Sequence, residues 1–145
     1  MRLAALVAAT LILAAPIAAQ AAAPSLDATR AAMLGKWRDK ADDPGPQYYW
    51  LFNADGTYDM SGMKGKWLLF SGAKPPKEAT PEAIDVPDKN AIYLELKDSD
   101  GTALFYVVAD VAKATMELDY IHGAGNGIHN FTRLPMKPAP RPTGY

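Results

Sequence analysis

No cysteine occurs anywhere in the 145 residues. That excludes disulfides, thiolate metal sites and a cysteine nucleophile. It also excludes the cleavage-site cysteine that a lipid-anchored exported protein requires. Histidine is nearly as scarce, with only His122 and His129. Neither sign of charge dominates. Fifteen Lys and Arg stand against 16 Asp and Glu, a formal net charge of −1. A near-neutral chain has no electrostatic case for nucleic acid or an anionic membrane as partner. No serine sits in a nucleophile-elbow context. The run Gly123-Ala124-Gly125-Asn126-Gly127 leads into a strand-like segment, whereas phosphate loops need a helix there. The acid pairs Asp42-Asp43 and Asp98/Asp100 fall in turns, where Asp is favoured for backbone reasons. Nothing singles out a catalytic group, and the chain is expected not to be an enzyme and to need no cofactor.

What is present begins with an export-type leader at 1–21. Arg2 gives a positive start, Leu3 to Ala15 is an uncharged apolar run, Pro16 breaks it, and Ala19-Gln20-Ala21 fits a small-residue cleavage site. The apolar run is shorter than the ~20 residues of a membrane-spanning helix. The flanks lack a positive stop, and no twin arginine is present. A Sec-type signal and a periplasmic or secreted location are therefore expected. With Arg2 removed, Lys and Arg fall from 15 to 14 against 16 acids, a net charge of −2. The remainder suits one domain.

Ser25 to Leu34 reads as a short helical turn capped by Ser25 and stopped by Gly35. No long segment keeps a helical period after it. Eight short strand-like runs follow, separated by turn residues: 35–38, 48–52, 57–60, 63–70, 91–97, 102–109, 115–122 and 128–134. Asn53-Ala54-Asp55-Gly56 and Asp98-Ser99-Asp100-Gly101 are hairpin turns. Ile92, Leu94 and Leu96 alternate with Tyr93, Glu95 and Lys97. Residues 71–89 carry Pro75, Pro76, Pro81 and Pro87 and read as a long connection, with a helical turn expected near Thr80 to Ile84. Residues 135–145 contain four prolines and read as a disordered tail.

Eight short strands in meander order predict an all-β, eight-stranded antiparallel barrel over 22–134, because closure removes exposed sheet edges. Runs of about five to eight residues fall short of the ~9–11 that a membrane-spanning barrel strand needs, so no stable membrane insertion is expected.

The helical turn before Gly35-Lys36-Trp37, the late Leu118-Asp119-Tyr120, and Arg133 in Phe131-Thr132-Arg133-Leu134 together resemble the lipocalin-like, or calycin, β-barrels. The resemblance covers about Leu34 to Leu134. It implies that Trp37 lies across the closed end of the barrel with Arg133 packed over it. Gly35, Trp37 and Arg133 would then form the structural closure, with a cation–π contact of ~0.5–2 kcal/mol. It further implies an exported, monomeric binding protein for a small apolar ligand.

Alternation places Tyr48, Trp50 and Phe52 on one face of their strand. They are expected at the barrel interior or mouth, with Trp67, Tyr106, Met116 and Leu118 as further ligand-binding candidates and Leu94 as another interior residue. His122 and His129 flank the glycine run. If 123–128 form the hairpin loop, the two face each other across the ladder at Cβ separations of ~4.5–5.5 Å. Two ligands are not a metal site, and the pair is read as solvated histidines at a hairpin mouth, with no metal assigned. The rival reading keeps the fold but fills the barrel with its own aromatics. It makes the chain a protein-binding module, an inhibitor or envelope-complex subunit, which contacts an envelope protein through residues 71–89 or the tail.

Overall fold

The computed structural model describes residues 25–77, 88–121 and 127–137. The leader, the expected helical turn near Thr80 to Ile84, His122 and most of the tail lie outside the described residues.

Helix α1 spans Leu26–Met33. Ser25 caps it, its Oγ accepting a hydrogen bond from the Ala28 backbone N–H at 3.1 Å. Asp27 in the first turn and Arg30 in the last suit the helix dipole. The helix cannot continue through Gly35, which adopts φ +111° in the region that only glycine enters cheaply. Its inner side buries Thr29 and Met33.

Eight strands follow: β1 (Gly35–Asp39), β2 (Trp50–Phe52), β3 (Thr57–Met60), β4 (Met63–Ser71), β5 (Ile92–Asp98), β6 (Ala103–Val111), β7 (Thr115–Tyr120) and β8 (Gly127–Leu134). Each pairs antiparallel with the next, and β1 pairs with β8 to close the barrel. The expected all-β barrel with a short N-terminal helix is thus observed. The order places the loops after β1, β3, β5 and β7 at one end. The helix and the loops after β2 and β6 lie at the other.

Inward positions follow the two-residue period of a pleated strand. Trp37, Trp50, Phe52, Tyr58, Trp67, Leu94, Leu96, Tyr106, Met116, Leu118 and Phe131 form one core with Met33, none more than 7% exposed. Full burial of each large apolar side chain is worth ~1.5–3 kcal/mol. At one point the sheet needs the absence of a side chain. A Cβ on inward-facing Gly65 would run into the backbone of Lys97 and Asp98 on β5.

Three features differ from the sequence reading. Strand β2 begins at Trp50, because Tyr48 and Tyr49 belong to the incoming loop, where the Tyr49 backbone is held by Ser61. On β5 both faces are covered. Outward Tyr93 and Glu95 are buried, and Tyr93 joins Phe70 and Phe105 in a second apolar cluster. The third is the β7–β8 register. Tyr120 pairs with Gly127 and Leu118 with His129, so His129 does not face His122 across the ladder. The glycine run carries no turn chemistry that pins a register, and the pairing follows the inward apolar positions instead.

Candidate functional site

The two ends of the barrel are built differently. At the helix end the seam between β1 and β8 is clamped. The Arg133 guanidinium carbon lies 4.0 Å from the Trp37 ring centroid. Its Nη1 and Nη2 donate to the carbonyl oxygens of Leu34 and Ala32, each at 2.6 Å, and its Nε donates to the Lys113 carbonyl. The Trp37 indole N–H donates to the Met33 carbonyl at 2.8 Å. Gly35, Trp37 and Arg133 therefore come together at this end of the barrel.

At the opposite end the same seam holds a polar pair. Asp39 closes β1 and His129 lies near the start of β8. Ring closure brings them together across 90 residues, with Nδ1 of His129 2.6 Å from Oδ2 of Asp39. The other carboxylate oxygen of Asp39 accepts from the Ala41 backbone N–H at 3.0 Å. Asp39 is only 5% exposed, whereas the His129 side chain is 31% exposed. An ionised carboxylate only accepts, so the contact places a proton on Nδ1 and leaves Nε2 of the neutral ring as an acceptor.

Aromatic rings surround this imidazole. The centroids of Trp50, Tyr106 and Phe131 lie 5.8, 5.9 and 6.1 Å from it. Trp50 also packs edge-on against Phe131 at 4.8 Å and Tyr106 at 5.7 Å, and Tyr120 lies 5.2 Å from Tyr106. Burial holds the Tyr106 hydroxyl well above the usual phenol range, with Tyr120, Tyr58 and Asp39 adding to the effect. Asp42 stands beside the pair. Partial burial, then the nearby Asp39 charge, raises its carboxyl above the ordinary value, while His129 pulls it back. The Trp37 and Trp67 indoles donate to the Met33 and Asn53 carbonyls.

The candidates named from sequence divide by depth. Trp50 and Tyr106 belong to the rings around His129. Phe52 and Trp67 pack against each other at 5.2 Å on the helix side, with Arg30 over the Trp67 ring at 4.2 Å. Met116, Leu118 and Leu94 face inward and are buried in the same core. Tyr48 is 36% exposed in the loop before β2. No group of three or more His, Cys, Asp or Glu among the described residues is arranged to hold a metal.

Sequence reasoning missed Asp39. Its one signal was parity, since it lies two residues after inward Trp37, so a charged side chain had to point into the barrel.

A concavity lies on the outer wall. A groove of about 990 Å³ runs over β2 to β5, with Lys64, Lys66 and Lys97 alternating with Asp59, Asp98 and Asp100. Lys66 and Lys97 are direct cross-strand partners.

No family model, curated protein or solved structure matches this chain.

Proposed function

We propose that this chain is a non-catalytic, lipocalin-like binding barrel of the periplasm or exterior that carries a small, largely apolar ligand at its open end. The observation that carries the reading is the nest of Trp50, Tyr106 and Phe131 around the partly exposed His129. Such sites combine an apolar, aromatic lining with a few fixed polar groups. The deeper candidates Phe52, Trp67, Met116 and Leu118 pack within the core, so they support the seat from below. Strand length does not argue against a membrane barrel, since β4 and β6 each run nine residues. The outward, exposed Lys64, Lys66 and Lys97 do argue against it, because a lipid-facing barrel presents an apolar band there.

A second reading, a protein-binding module with a filled barrel, is favoured by the ring-to-ring packing of the interior and by the charged outer groove.

Native mass spectrometry on the gently purified protein separates the two. A small excess mass that leaves on denaturation supports the ligand carrier. A bare mass, with no uptake from a lipid extract, overturns it in favour of the protein-binding module.

A further inference from the structure

We propose that the open end selects a ligand bearing a neutral hydroxyl donor, of the phenol or alcohol class, over one bearing a carboxylate, with Nε2 of His129 as the acceptor. This rests on the small-ligand reading above and specifies the chemistry of the ligand's polar end. Asp39 is nearly inaccessible and accepts through Oδ2 from Nδ1 of His129 at 2.6 Å, so in the neutral ring the free lone pair is on Nε2.

No β8 side chain precedes His129 on the inner wall. Gly127 is the preceding inward residue on β8, and a Cβ there would lie 3.5 Å from Nε2 and 2.7 Å from the Tyr120 Cβ. Nε2 is therefore bordered by the Gly127 backbone and the Tyr120 side chain, with the Trp50 and Tyr106 rings also against the imidazole. An aromatic or alkyl body suits those rings.

The carboxylates beside the pair oppose a further carboxylate. Asp39 and Asp42 both act on this site. Arg38, the neighbouring cation on β1, acts on Asp42 in the opposite sense, and its Nη2 is held by the Gly45 carbonyl at 3.4 Å. A neutral hydroxyl donates to Nε2 with no like-charge penalty.

The test uses a matched pair of probes, 4-butylphenol and 4-butylbenzoate, titrated into the purified protein at about pH 8, above the ordinary imidazole range. Tryptophan emission and calorimetry report binding. The phenol is expected to bind about tenfold or more tighter, the worth of one well-placed hydrogen bond plus avoided repulsion. His129→Phe, which keeps a ring in place, is expected to shrink that preference about fivefold or more by weakening phenol alone. Asp39→Asn is expected to reduce it about fivefold or more, because an amide can donate to Nδ1 and leave the proton on Nε2.

Equal affinities, tighter benzoate binding, or a preference undiminished by His129→Phe overturns the proposal. If neither probe binds but native mass spectrometry finds another small ligand carried, hydroxyl selection fails while the ligand-carrier reading stands. If neither probe binds and the protein carries and takes up nothing, both fail.

Discussion

Trp37 and Arg133 are cross-strand partners on the seam that closes the barrel, and the guanidinium of one lies 4.0 Å over the ring of the other. The same arginine donates to three carbonyls, in α1, in the residue after it and in the β6–β7 turn. One side chain thus ties four pieces of chain together. Trp37→Ala is expected to cost ~3–5 kcal/mol in chemical denaturation. Arg133→Met, which keeps the stem, should cost about 2 kcal/mol. The double variant should deviate from additivity by at least ~0.5 kcal/mol. Strict additivity would mean that the stacked pair is not coupled.

Gly65 is expected to be intolerant of even one added carbon. Its Cβ would meet the backbone of Lys97 and Asp98, which cannot rotate away as a side chain could. Gly65→Ala should therefore cost ~1–3 kcal/mol. Urea denaturation measures it, and a change of a few tenths would show that β4 and β5 do not approach so closely.

The Asp39–His129 pair has its own stability signature. His129→Phe keeps an aromatic ring but leaves Oδ2 of buried Asp39 without its partner, which should cost ~1–3 kcal/mol. Adding Asp39→Leu removes the stranded carboxylate and should recover much of that loss. A double variant no more stable than His129→Phe would contradict this account.

Acid should act on the β2–β3 turn. Asp55 accepts from the Thr57 hydroxyl at 2.6 Å and the Thr57 N–H at 2.9 Å, and these bonds hold its carboxyl below the ordinary value of 3.8. A depressed carboxyl stabilises the fold above the unfolded value and loses that contribution as pH falls through the folded one. Asp55→Asn should therefore be less stable than the parent at neutral pH, with the gap closing below pH 3.8. Thermal melts at a series of pH values follow it. A gap independent of pH would assign the effect to turn geometry instead.

Much of the barrel was legible because turn chemistry and strand period agreed. Asn53 to Gly56 and Asp98 to Gly101 pin their hairpins, and the expected run 57–60 matches β3 residue for residue. Where local chemistry was silent, the reading slipped. The glycine run after β7 fixes no register, so His129 was set opposite the wrong residue. Alternation on β5 marked Tyr93 and Glu95 as outward but could not show that the outer face is covered. The Asp39–His129 contact has no local signature, because only the pairing of the first strand with the last creates it.

That pairing also brings the two ends of the barrel chain to one place. Lys36 near the start of β1 lies opposite Leu134 at the end of β8, on the helix side and away from His129. A short linker could join the ends there, and new termini could be opened in the exposed Asp98–Gly101 turn. A circularly rearranged chain of this kind would keep every strand neighbour.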